Sequence, residues 1–154
     1  MSPSFERDFF VIIHDLARLM RTRFDQRARA RGMTRAQWMI LARLDRQPGL
    51  SQNEMAAICE VEPITVGRLI DRLEARGLVE RRADPDDRRI RRLHLLSAAR
   101  SIIDEIMLYK DEMKAELLDG LDPAALDQVV DSLLFIKNNL TAENSAPKIA
   151  MAGE

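Results

Sequence analysis

Apolar residues recur at three-to-four spacing from the start of the chain: Phe9, Ile12, Ile13, Leu16, Leu19 or Met20, and Phe24. That spacing predicts a long amphipathic helix over 5–31, closed by Gly32. Thr34 and Gln37 form a capping box for a second helix with Trp38, Leu41 and Leu44 on its inner face, stopped by Pro48-Gly49. Ser51 and Glu54 repeat the box for a short third helix to about Ile58, with Leu50 and Met55 at the spacing of a hydrophobic staple. Glu62-Pro63 opens a fourth helix with proline at its first position. Gly77 ends it in the left-handed conformation, with Leu78 placed to touch Leu73.

The period then changes from helical to alternating. Leu93 and Leu95 alternate with Arg92 and His94, and a polar turn from Ala83 to Arg89 separates this run from Leu78–Arg82, which predicts a β-hairpin. Ser97 is placed to cap a fifth helix bearing Ile102, Ile103, Ile106, Met107 and Met113, broken by Gly120. Asp122-Pro123 starts a sixth, with Leu126, Val129, Val130, Leu133, Ile136 and Leu140 inward. The fold class is therefore mainly α with a small β-hairpin wing. A winged helix-turn-helix lobe occupies 33–96, and a helical dimerisation region is built from 5–31 and 97–140. Residues 141–154 show no period and read as a flexible tail. Helices one, five and six carry more apolar surface than a lone helix pair hides, which calls for a partner chain.

Charge changes the picture. The net charge of −1 conceals seven arginines against two acids between Thr22 and Arg46, and five basic against eleven acidic residues from Ser97 to Glu154. One half suits a polyanion and the other is repelled by one. With Thr65 set at zero on a helical wheel of 100° per residue, Arg68 falls near 300°, Arg72 near 340° and Arg76 near 20°. Val66, Leu69, Ile70 and Leu73 fall between about 40° and 140° on the same wheel. The fourth helix thus carries an apolar stripe and a separate face of hydroxyl and guanidinium groups. Such a face suits a major groove, where arginine pairs bidentately with guanine and threonine meets a phosphate or a thymine methyl. Ser51, Gln52 and Pro63, at the starts of helices three and four, are expected to face the duplex, Ser51 and Gln52 meeting its phosphates.

From Arg81 to Arg92 there are six arginines and three aspartates in twelve residues. Guanidiniums at a hairpin tip suit a narrow minor groove. Asp87 is placed to pair with Arg89 and hold Arg88 outward, so Arg88 and Arg89 are the wing's DNA candidates and Asp87 with Arg89 its stabilising pair. The residues leave two alternatives open: a winged helix used for protein contact, and a non-specific architectural DNA binder. The single cysteine, Cys59, excludes an intrachain disulfide and agrees with a cytoplasmic setting. No stretch approaches a membrane span and no signal peptide is visible. Two histidines distant in sequence do not suggest a metal site, no cofactor is expected, and nothing singles out a catalytic pair.

Asp84-Pro85-Asp86-Asp87-Arg88-Arg89 followed by Leu93-His94-Leu95-Leu96-Ser97 resembles the wing of the MarR family of bacterial regulators. The run from Val61 to Val79 is similar to that family's recognition helix. Asp15-Leu16-Ala17-Arg18-Leu19 and Thr34-Arg35-Ala36-Gln37-Trp38 are most similar to its SlyA-like branch. The resemblance spans residues 8 to 140. It implies a homodimer with interlocked terminal helices whose two winged lobes bind palindromic double-stranded DNA as a repressor or anti-silencer. Arg68 would read a base in the major groove and Arg88 would enter the minor groove. It further implies a cleft for a small aromatic carboxylate, with Arg21 and Trp38 at positions that line it and Ala36 and Leu69 nearby. Ser97 stands where the family has threonine, and Arg100 where it has glycine.

Overall fold

The computed structural model of the protein describes residues 5–145. A single 3-10 turn, Phe5–Arg7, precedes α1 (Phe9–Ala30). Asp8 separates the two because its carboxylate accepts the Val11 backbone N–H at 3.1 Å, so α1 begins at Phe9, where the apolar period starts, rather than at residue 5. Gly32, at φ +66°, lets the chain reverse, and Met33 N–H donates back to the Ala28 carbonyl at 3.0 Å.

Helix α2 (Arg35–Arg46) begins with the Thr34–Gln37 capping box, and α3 (Gln52–Cys59) with the Ser51–Glu54 box, both reciprocal. Helix α4 (Pro63–Ala75) takes proline at its first position and closes through Gly77 at φ +68°, with Leu78 N–H donating to Leu73 O at 3.0 Å. Strands β1 (Val79–Ala83) and β2 (Arg91–Leu95) pair antiparallel, Val79 opposite Leu95 and Arg81 opposite Leu93. The segment before α3 joins them: Leu93 exchanges backbone hydrogen bonds with Gly49 and Leu50 at 3.0 and 2.8 Å, and Ser51 bridges Arg92. The wing is therefore stitched to the helix-turn-helix by main chain, which its own sequence does not announce.

Ser97 does not cap the fifth helix. It opens a 3-10 turn, Ser97–Ala99, that runs into α5 (Arg100–Leu117), and the cap position belongs to Leu96, without a side-chain bond. Gly120 at φ +79° ends that stretch, and α6 (Pro123–Ser145) follows. Helix α6 continues past Leu140, where the apolar period ends, and the Thr141 hydroxyl donates back to the Lys137 and Asn138 carbonyls. The rest of the expected tail, 146–154, lies outside the described residues.

The chain divides into two compact units, one up to Tyr109 and one from Lys110 onward. The core of the first unit joins Ile40, Leu41 and Leu44 of α2, Met55 of α3, Val66, Ile70 and Leu73 of α4, Val79 and Leu93 of the wing, and Ile103 of α5, all essentially inaccessible. Each such side chain contributes roughly 1.5–3 kcal/mol by leaving water. The inner face of α4 is thus fixed, and its opposite face is left to solvent.

Candidate nucleic-acid interface

Burial of Val66, Ile70 and Leu73 sets the rotation of α4, so Pro63, Ile64, Thr65, Arg68, Arg72 and Arg76 are exposed. Among the described residues none of those three arginines has an ion pair or hydrogen bond from its side chain. Ile64 is 66% exposed in the first turn, a large apolar side chain that sequence reasoning missed. Its signal was available: it stands one position before the zero-degree threonine, outside the apolar stripe.

The wing sorts its arginines. Arg89 is held by Asp87 through two bonds, Nε to Oδ1 at 3.1 Å and Nη2 to Oδ2 at 3.2 Å, while Asp87 Oδ1 also accepts the Arg89 backbone N–H at 3.0 Å. The Arg89 guanidinium, followed by its backbone N–H, holds the Asp87 carboxyl below its ordinary range. Arg82 pairs with Glu80. Arg92, which alternation placed on the solvent side, is half-buried and pairs with the buried Asp84, with Nη1 donating to Gly49 O at 3.0 Å. Arg81 turns towards α4. Arg88 and Arg91 are exposed and without a side-chain partner among the described residues. Arg91 does not stand out in the sequence, because six arginines in twelve residues look alike until their partners are known.

The start of α3 is held by bonds from both Ser51 and Gln52. The Ser51 hydroxyl oxygen accepts Glu54 N–H at 3.1 Å, which leaves its O–H to donate, and the Ser51 backbone N–H donates to Glu54 Oε2 at 2.7 Å. These bonds with Ser51 hold the Glu54 carboxyl below its ordinary range. Gln52 is half-buried and faces inward: its Nε2 donates to Pro63 O at 3.4 Å and its Oε1 accepts from Arg81 at 3.3 Å. Among the described residues, what remains open at this end is the backbone N–H of Asn53 and the O–H proton of Ser51. Ser51, Gln52 and Asn53 line a cleft of about 290 Å³ with Arg89, Ile90 and Arg91, so the helix start and the wing flank one depression. A larger cleft of about 460 Å³ carries both signs of charge, with Arg31 and Glu105 paired at 2.7 Å, and does not suit a polyanion.

The residues expected around an aromatic acid are differently placed. Arg21 is exposed on α1, Ala36 is half-buried, and Leu69 packs against the core. Trp38 is only 2% exposed and meets Tyr109 edge-on at 6.4 Å, so it offers no open face for a ligand ring to stack on. Tyr109 also meets Phe24 edge-on at 5.4 Å and carries Arg27 over its ring at 5.1 Å. The Trp38 indole N–H is buried and has no acceptor among the described residues.

The sequence model of the MarR family matches residues 31–90. The crystal structure of the transcriptional regulator PA3341 superposes with a TM-score of 0.78 at 31% identity, over 88% of this chain and 99% of that one. The chain belongs to the MarR family. As a MarR-family protein it is a DNA-binding transcription regulator and not an enzyme. The fold is shared with SlyA (TM-score 0.77, 24% identity, 88% of this chain and 96% of that one). It is also shared with Staphylococcus aureus MepR in a DNA complex (TM-score 0.74, 24% identity, 89% and 99%). No described helix is long and apolar enough to cross a membrane.

Proposed function

We propose that this protein is a cytoplasmic, sequence-specific regulator that binds a palindromic operator as a homodimer, acting as a repressor or anti-silencer. The observation that carries the reading is the sorting of guanidiniums. Among the described residues, Arg68 and Arg72 on α4, Arg76 just past its end, and Arg88 and Arg91 on the wing are free, whereas Arg81, Arg82, Arg89 and Arg92 are paired with carboxylates. In this reading α4 enters the major groove, with Arg68 pairing a guanine edge and Ile64 or Thr65 meeting a thymine methyl. Pro63 brings the first turn of α4 close to the backbone. Arg88 enters the minor groove, held out by the neighbouring Asp87–Arg89 clamp. Arg91, the Ser51 hydroxyl and the Asn53 N–H take phosphates.

The second copy is needed for a different reason. Helix α1 exposes Phe10 at 78%, Leu16 at 49% and Leu19 at 52%, and α6 exposes Phe135 at 67% and Leu140 at 63%. Apolar faces of that size on water-exposed helices mark an association surface. Two-fold symmetry then sets the half-sites about one helical turn, roughly 10 bp, apart. Selection of duplexes from a random library tests this. The expected product is a palindrome of that spacing, retarded at a stoichiometry of two chains. Equal affinity for random duplex would instead mark an architectural binder, and no retardation at low salt would mark a protein-contact module.

The effector class that fits is a small aromatic carboxylate anchored by the exposed Arg21. The unpartnered Trp38 N–H supports an acceptor nearby, reached once Tyr109 yields its edge contact. Trp38 is the sole tryptophan, so its emission reports the event directly. Benzoate is expected to change that emission and weaken operator binding in the parent but not in Arg21→Ala; an unaltered Arg21→Ala response overturns this part.

A further inference from the structure

Arg81 stands on β1 with its side chain 21% exposed and reaches across to α4 through both terminal nitrogens. Its Nη2 pairs with Asp71 Oδ1 at 2.7 Å and donates to the Gly67 carbonyl at 3.1 Å and to Gln52 Oε1 at 3.3 Å. Its Nη1 pairs with Glu74 Oε2 at 2.6 Å. Asp71 and Glu74 are the only acids of α4. Asp71 lies three residues after Arg68, the spacing at which helix side chains of opposite charge pair. Yet Asp71 pairs with Arg81, and Arg68 has no partner among the described residues.

We infer that Arg81 is a positioning residue for DNA recognition: it holds Asp71 and Glu74 on the wing side of α4 and so keeps the Arg68 guanidinium free to read a base. Without it, two uncompensated carboxylates flank the arginine face, and Asp71 captures Arg68 across one turn. Either event opposes a polyanion, since like charges brought together at an interface are costly. Wing and recognition helix are then coupled by charge as well as by packing.

The inference rests on the proposed role of α4, and the experiment separates the two. Binding of full-length parent, Arg81→Gln, Asp71→Asn and the double variant is measured by fluorescence anisotropy. The probe is the duplex the parent selects from a random library, with every single-base variant of one half-site alongside. Arg81→Gln is expected to weaken binding about tenfold and to lose discrimination at the base pair that Arg68→Ala also loses. Adding Asp71→Asn is expected to restore affinity to within about threefold and to restore that discrimination, a non-additivity that marks coupling. A double variant as weak as Arg81→Gln overturns the inference, because loss of wing anchorage alone is not repaired by removing another of its partners. Should Arg81→Gln fail to fold by circular dichroism, Asp71→Asn alone still decides: binding at least as tight as the parent supports the inference, and weaker binding overturns it. If the parent selects and retards no duplex, the reading of α4 fails and this inference with it. If the parent binds and the rescue fails, only this inference falls.

Discussion

Arg92 and Asp84 face each other across the wing, and the Asp84 carboxylate uses both oxygens: Oδ2 accepts from Arg92 Nε, and Oδ1 accepts the backbone N–H groups of Asp86 and Asp87 at 2.8 and 3.0 Å. Arg92 then carries the wing to Gly49 at 3.0 Å and lies 3.8 Å from Glu54. One carboxylate thus shapes the hairpin turn and, through one guanidinium, ties it to the segment before α3.

That arrangement sets a pH dependence. The Arg92 guanidinium, then the N–H groups of Asp86 and Asp87, hold the Asp84 carboxyl below its ordinary range. A depressed folded value means the stabilisation is complete above the unfolded value, roughly 3.9, and is lost as the pH falls from there through the folded value. Melting temperature is expected to be insensitive to this group above about pH 5 and to drop below pH 4. Asp84→Asn is expected to melt earlier at neutral pH and to show a shallower acid decline. An unchanged acid limb in that variant contradicts the assignment.

The two sides of α4 are expected to respond in opposite ways. Leu73→Ala, at a fully buried site, is expected to cost about 2–5 kcal/mol in denaturant unfolding. Ile64→Ala, in the exposed first turn, is expected to change stability by no more than about 0.5 kcal/mol while weakening operator binding.

Gly67 is the test of the inner clamp. A Cβ there would stand 2.9 Å from Gln52 Nε2, the end of a flexible side chain. Gly67→Ala is therefore expected to displace the Gln52 amide from Pro63 and Arg81, while the gain in helix propensity, about 0.5–1 kcal/mol, offsets part of the loss. Unfolding and operator titration together check it: stability within about 1 kcal/mol of the parent, with reduced affinity.

Association is expected to depend on the α1 face. Leu19→Glu places a charge on a half-exposed apolar position and is expected to shift the protein towards monomer in sedimentation at micromolar concentration, with loss of operator binding. An unaltered dimer contradicts the use of that face.

What was legible in the sequence was local. Capping boxes at Thr34 and Ser51, proline at the start of α4 and the Gly77 ending are decided by residues within five or six positions, and each is observed. The Asp87–Arg89 pair is equally local, two residues apart. What was not legible depends on contacts distant in sequence. Gln52 meets Arg81 twenty-nine positions away, and Arg92 meets Gly49 forty-three away, so the inward bonding of neither side chain can be read from its neighbours. Ser97 has the look of a cap because it precedes a helical period, but that period begins with a 3-10 turn. Trp38 suits either a core or a ligand wall by residue type, and only its packing against Tyr109 shows it to be buried.

Equilibrium binding of Arg68→Ala and Arg88→Ala to every single-base variant of the selected operator, at matched salt, bears most directly on the division of labour between helix and wing. Arg68→Ala is expected to lose about 1–3 kcal/mol and to become indifferent to one base pair per half-site, and Arg88→Ala to lose affinity chiefly where the flanks are A·T-rich. Parental affinity and parental base preference in both variants would contradict it.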